Sequence, residues 1–113
     1  MWLFTKYGFF SAVKDPRDKM IVVRSREVSH LQTLKDRFDI DKYEITTSTD
    51  SDYFCRIRLP HRVWNEVVKE LSAEIDYPNF KSAVLKEQGK TDYEHALHEV
   101  WGVMADTQHV PPY

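Results

Sequence analysis

A single cysteine, Cys55, stands in the 113-residue chain, so no intramolecular disulfide can form and nothing calls for an oxidising compartment. Glycine is almost as scarce. The three glycines, at positions 8, 89 and 102, are too scattered to cradle a phosphate, and neither Gly-x-x-x-x-Gly-Lys-Ser/Thr nor Gly-x-Gly-x-x-Gly occurs. Gly-x-Ser-x-Gly is also missing, which removes the usual nucleophile elbow of a serine hydrolase. No uncharged apolar run approaches the roughly 18 residues that a spanning helix needs. The apolar opening MWLFTKYGFFSAV is interrupted by Lys6 and has neither a positive n-region nor an Ala-x-Ala-like cleavage site, so cytoplasm is the expected compartment. Charge of one sign is lacking too. Sixteen Lys and Arg nearly balance eighteen Asp and Glu, for a formal charge of −2, which excludes a strong overall field for nucleic acid or anionic lipid but leaves local patches open.

What is present is an ordinary globular composition, 42% hydrophobic and 30% charged, which excludes a disordered or low-complexity chain. A chain of this length buries about two thirds of its extended surface on folding, enough for one core. One compact domain over residues 1–113 is therefore expected.

Residues 2–13 are rich in Trp, Phe, Tyr and Val with Gly8 in their midst, which predicts a strand bent or bulged at the glycine. A turn at Lys14-Asp15-Pro16-Arg17-Asp18 leads to a second strand over 19–24. Ser25 is a candidate cap for a helix over 26–38, on which Val28, Leu31, Leu34 and Phe38 form one stripe. Tyr43 to Thr47 and Tyr53 to Leu59 read as strands; in the second, Tyr53, Cys55, Ile57 and Leu59 alternate with Phe54, Arg56 and Arg58. Val63, Val67, Leu71 and Ile75, widened by Trp64 and Val68, define the inner face of a helix over 61–75. A short helix ending at Gly89 follows, carrying Phe80, Val84 and Leu85. The Thr91-Asp92-Tyr93-Glu94 capping box opens a last helix with Tyr93, Leu97, Val100, Trp101 and Met104 as its stripe. The close, from His109 to Tyr113, reads as irregular.

The order β-β-α-β-β-α-α-α places the chain in the α+β class. Its middle matches the first five elements of a ferredoxin-like βαββαβ unit, the sixth strand is missing, and the N-terminal strand is able to supply that edge. The C-terminal helices are additional. This architecture hosts unrelated functions, so chemistry has to be argued from side chains.

The stretches MWLFTKYGFFS, YPNFKSAVLKEQG and YEHALHEVWGVM resemble a small family of bacterial proteins of uncharacterised function. The resemblance covers most of the chain. It implies a bacterial, cytosolic protein and transfers no catalytic residue, cofactor or partner.

Three sets of side chains are candidates for function. On the last helix, His95 and His98 with Asp92 share neighbouring positions at which two imidazoles and a carboxylate could converge on a metal, although the spacing is not His-Glu-x-x-His, and the bland alternative is a pair of surface histidines. On the strands, Arg24 and Arg26 close one segment while Phe54, Arg56 and Arg58 face outward on another. If those strands are neighbours, they present an aromatic platform flanked by guanidiniums, suited to single-stranded nucleic acid. Third, the excess of aromatic residues, with Trp2, Phe4, Phe9 and Phe10 at its centre, points to an interface, and the expected partner is a second copy of the chain. Cys55, alternating with core positions, reads as a small core residue and not as a nucleophile. The balance of these readings favours a homodimeric interaction module without catalysis or cofactor, with single-stranded nucleic-acid binding and a small enzyme or metal-binding protein using His95 and His98 as the alternatives.

Overall fold

Two compact units, Met1–Asp76 and Tyr77–Tyr113, make up the computed structural model, which describes residues 1–109. The first unit contains β1 (Trp2–Thr5), β2 (Gly8–Lys14), β3 (Ile21–Ser25), α1 (Val28–Phe38), β4 (Ile45–Thr47), β5 (Cys55–Leu59) and α2 (His61–Ala73). The five strands form one antiparallel sheet in the order β1-β2-β3-β5-β4. The run β3-α1-β4-β5-α2 supplies five elements of the ferredoxin-like arrangement, as the pattern predicts. β2, hairpinned to β3, takes the edge position of the missing sixth strand, and β1 extends the sheet beyond it.

The segment expected as one bent strand is in fact two. Lys6 and Tyr7 form a two-residue turn between β1 and β2, held by Thr5, whose Oγ1 accepts from the N–H groups of Tyr7 and Gly8 (3.1 Å each) and donates to the Gly8 carbonyl (2.9 Å). Gly8 has φ of 152°, a conformation open to glycine, and the His30 ring lies where a side chain at this position would have to be. The next connection is tied by Asp15, which accepts from the Arg17 backbone N–H (3.0 Å) and pairs with its guanidinium (2.7 Å).

Alternation along the strands sends Phe10, Ala12, Ile21, Val23, Cys55, Ile57 and Leu59 to one side, where they pack with Leu31 and Leu34 of α1 and Trp64 and Val67 of α2. Each large apolar side chain so buried contributes about 1.5 to 3 kcal/mol relative to exposure. Phe10 belongs wholly to this core, with no exposed surface, so its place among the interface candidates is corrected. Ser25 does not cap α1. It is the last residue of β3, its hydroxyl donates to the Phe9 carbonyl (3.0 Å), and Glu27 stands at the helix start without a side-chain cap bond. Ile75 lies beyond the end of α2 and is exposed, because the four-residue apolar repeat outlasts the helix itself.

The second unit pairs α3 (Phe80–Gln88) with α4 (Asp92–Ala105). Asn79 caps α3 by accepting from the Ser82 N–H (2.9 Å), Gly89 ends it with φ of 74°, and Thr91 caps α4 by accepting from the Glu94 N–H (3.2 Å). Val84, Tyr93 and Leu97 are buried. Leu85, Trp101 and Met104, expected on inner faces, are exposed; the buried stripe of α4 closes after its first two turns. The expected irregular close falls, beyond His109, outside the described residues.

Candidate nucleic-acid interface on the helix-free sheet face

The side chains that alternate with the core project from the other face of the sheet. Register places Trp2 opposite Ser11, Ser11 opposite Arg24, Arg24 opposite Arg56 and Arg56 opposite Thr46, one continuous row across all five strands. A parallel row sets Phe4 opposite Phe9, and another sets Val13 opposite Val22 and Val22 opposite Arg58. The expected adjacency of the two arginine-bearing strands is therefore present, and Arg24 and Arg56 are direct cross-strand neighbours. Like charges at such a pair repel, so the arrangement costs stability unless other groups hold the guanidiniums apart.

Those groups are identifiable. Arg24 donates from Nη2 to the Ser11 hydroxyl (2.8 Å), and Arg26 donates from Nη1 to the Asp52 carbonyl (2.7 Å). Arg56 turns toward the loop that precedes β5 and donates to the Ser51 hydroxyl and the Tyr53 carbonyl. All of these acceptors are uncharged. Among the described residues none of Arg24, Arg26 and Arg56 has a carboxylate within ion-pair distance, whereas Arg58 is paired with Asp15 and Asp18. Three guanidiniums on or beside the two central strands thus keep their charge uncompensated, and Arg58 does not join them.

The aromatic member of the cluster is Tyr53, not Phe54. Arg24 and Arg26 lie over the Tyr53 ring at 4.6 and 4.5 Å, and that ring is 6.4 Å from Phe9. Strand alternation begins only at Cys55. Tyr53 sits in the preceding bend and turns onto the helix-free face, so the parity that grouped it with Cys55 does not reach it. Phe54 is exposed, and among the described residues no ring or guanidinium contact ties it to the arginines. Tyr53 is itself buried under its two arginines, so it serves to hold them in place; a cation–π contact of this kind is worth about 0.5 to 2 kcal/mol.

Phe9 links this centre to the sheet edge. It stacks with Phe4 (centroids 4.6 Å, planes 26° apart) and meets Trp2 edge to face (5.8 Å, 85°). Trp2 is 70% exposed and Phe4 37%. The face therefore runs from exposed rings on β1, through Phe9, to fixed guanidiniums on β3 and β5. Compared with family models, curated proteins and solved structures, the chain finds no match.

The other candidates are placed as follows. Asp92 is the first residue of α4; His95 and His98 are both exposed, and His98 Nε2 lies 2.9 Å from the Glu94 carboxylate one turn away. Among the described residues no three His, Cys, Asp or Glu side chains are grouped so as to hold a metal ion. Cys55 is fully buried and donates its S–H to the Ser25 carbonyl (3.2 Å); burial pushes its thiol pKa up, away from the thiolate that nucleophilic chemistry needs. No helix among the described residues is long and apolar enough to cross a membrane.

Sequence reasoning missed Tyr53, Ser11 and Asp52 as the groups that fix the arginines. The signal available was the Arg24-Ser25-Arg26 spacing, which puts two guanidiniums on one side of a strand, together with a tyrosine at the entrance of the neighbouring strand.

Proposed function

We propose that the helix-free face of the first unit binds single-stranded nucleic acid. The observation that carries this reading is the set of three guanidiniums, Arg24, Arg26 and Arg56, held on uncharged oxygens on the sheet face that also carries the exposed rings of Trp2 and Phe4. Guanidiniums without internal carboxylates are available to phosphates, and exposed rings on a sheet face accept unstacked bases at about 1 to 3 kcal/mol each. A four-stranded sheet with aromatic side chains uses this geometry to stack two or three bases. A duplex offers no such base faces, so a single strand is the fitting ligand. Near-neutral net charge supplies no strong overall attraction, so the expected binding is micromolar and rests on this local patch. The test is fluorescence anisotropy of a labelled single strand of about a dozen nucleotides. Saturable binding that weakens with salt and with Arg24→Ala or Arg56→Ala supports the reading; a flat titration at low salt overturns it.

A second reading is favoured by one observation. β1 is one of the two edge strands of the sheet, and its exposed Trp2 and Phe4 form an apolar patch next to a strand edge that no other strand pairs among the described residues. We infer that a second copy of the chain is the alternative occupant of that edge, giving a homodimer. A mass near twice 13.4 kDa in sedimentation equilibrium supports it.

A further inference from the structure

On the helix side of the sheet, Met1, the end of β2, the start of β3 and one side of α2 line an open groove of about 570 Å³. Its size falls within the roughly 300 to 1,000 Å³ of small-molecule sites. Ala12 and Ile21 from the strands and Trp64 and Val68 from α2 supply apolar wall, and Lys14 and Lys69 stand at the same groove from β2 and α2. No aspartate or glutamate lines it. Neither lysine has an ion pair among the described residues, so two ammonium groups face an apolar cleft with no internal counter-charge.

Trp64 adds a directional feature. It is only 4% exposed, yet its indole N–H has no acceptor among the described residues, and the nitrogen is not one of the polar atoms sealed from solvent. A buried indole ordinarily finds an acceptor. Here the nitrogen keeps contact with solvent, and the donor is open to a ligand that reaches it. Apolar wall, two unpaired cations and one free donor describe the complement of an anion with an apolar body.

We propose that this groove binds a small organic carboxylate with an aromatic or branched aliphatic body, its body against Trp64 and Val68 and its carboxylate toward Lys14 and Lys69. The site is independent of the arginine face, because Lys14 and Ala12 belong to the opposite parity of β2 from Phe9 and Ser11.

The experiment is amide NMR titration of the full chain with 4-phenylbutyrate and, separately, with the neutral 4-phenylbutanol. The expected result is saturable shifts at the amides of Ala12, Val13, Asn65 and Val68, with the acid binding at least tenfold tighter than the alcohol. Lys14→Glu with Lys69→Glu should remove that preference while leaving the alcohol's weak binding and the amide spectrum of the core intact, since both lysines are exposed. Equal binding of acid and alcohol, shifts centred on other residues, or no shift at millimolar ligand would each overturn the proposal. So would a preference that survives the double variant. Loss of nucleic-acid binding by the arginine variants has no bearing on these outcomes, so the two sites succeed or fail separately.

Discussion

The imidazole of His30 occupies the space that any side chain at position 8 would need: a Cβ built on Gly8 would lie 2.2 Å from His30 Cγ. The contact joins the start of β2 to the first turn of α1, so one glycine fixes both the hairpin and the seating of the helix. Gly8→Ala combines a positive φ with a clash against a buried ring, and should cost about 3 kcal/mol. Urea denaturation of Gly8→Ala, His30→Ala and the pair checks this. The double variant should be more stable than the sum of the single effects, because removing the ring removes the clash; strict additivity would refute the coupling.

The same histidine makes stability depend on pH. Its Nδ1 accepts from the Phe9 N–H (3.4 Å) and its Nε2 lies 3.0 Å from the Glu27 carboxylate, an arrangement that suits the neutral ring. Burial lowers its pKa from the usual 6.5, and the Glu27 charge opposes this only in part. Below the usual value the unfolded chain binds a proton that the folded chain does not, so stability falls as pH drops from 6.5 toward the lowered folded value. One group contributes at most about 1.4 kcal/mol per pH unit. Asp15, held down by the Arg17 side chain and backbone, and Glu74, whose bonds from Arg37 and Tyr7 outweigh its burial, act only in the carboxylate range below. His30→Gln should therefore flatten the stability profile between about pH 7 and pH 5 and leave the acid limb unchanged. An unaltered slope in that window would contradict the assignment.

Strong local patterns were readable from the chain, and long-range geometry was not. Cys55, Ile57 and Leu59 announced a half-buried strand, and Gly89 and Thr91 stand at the end of α3 and the start of α4, where the sequence placed them, whereas the Asn79 cap of α3 emerged only from the structure. The two-residue turn at Lys6 and Tyr7 was hidden because Thr5, not a turn glycine pair, bonds its backbone. Ser25 looked like a cap because local pattern cannot tell a hydroxyl bonded to its own helix from one bonded to Phe9 across the sheet. The arginine strands were legible as neighbours through the ferredoxin-like order. Which aromatic residue joins them was not, since alternation cannot be carried past the point where β5 begins.

Salt dependence gives the arginine face a quantitative test. Each phosphate released by a lost contact should reduce the slope of log affinity against log salt by about 0.7 for a single strand. Arg24→Ala, Arg26→Ala and Arg56→Ala are each expected to lower the slope by about that amount, and Arg58→Ala, whose charge is already paired, to leave it nearly unchanged. Tyr53→Leu keeps all three charges but frees Arg24 and Arg26 from the ring. It should weaken binding with little change in slope, which separates the positioning of charge from charge itself. Equal slopes for all four arginine variants would argue against phosphate contact by this face.

Cys55 supplies a check on the fold that does not involve ligand. Its raised thiol pKa and full burial predict no measurable reaction with a thiol-selective disulfide reagent in the native protein, and one equivalent of rapid reaction in denaturant. Rapid labelling under native conditions would mean that β5 opens, since the sulfur is covered by the core and bonded to Ser25 of β3.

Trp2 and Phe4 are shared by the two readings of the sheet edge, and the order in which binding and assembly respond distinguishes them. If the exposed rings accept bases, Trp2→Ala should weaken single-strand binding by about 1 to 3 kcal/mol while the sedimenting mass stays the same. If a second copy covers β1, Trp2→Ala with Phe4→Ala should move the mass toward 13.4 kDa, and Arg24→Ala, on β3 two strands in from the edge, should leave it unaltered. Phe10→Ala is the necessary contrast. Phe10 is in the core with no exposed surface, so its truncation should cost about 3 to 5 kcal/mol of stability and affect binding and assembly only by unfolding the chain. A monomer whose single-strand binding is lost in Trp2→Ala and Arg24→Ala alike, with melting temperature preserved, is the outcome that the nucleic-acid reading requires. A dimer indifferent to Arg24 and dissolved by loss of Trp2 and Phe4 would assign the edge to self-association instead.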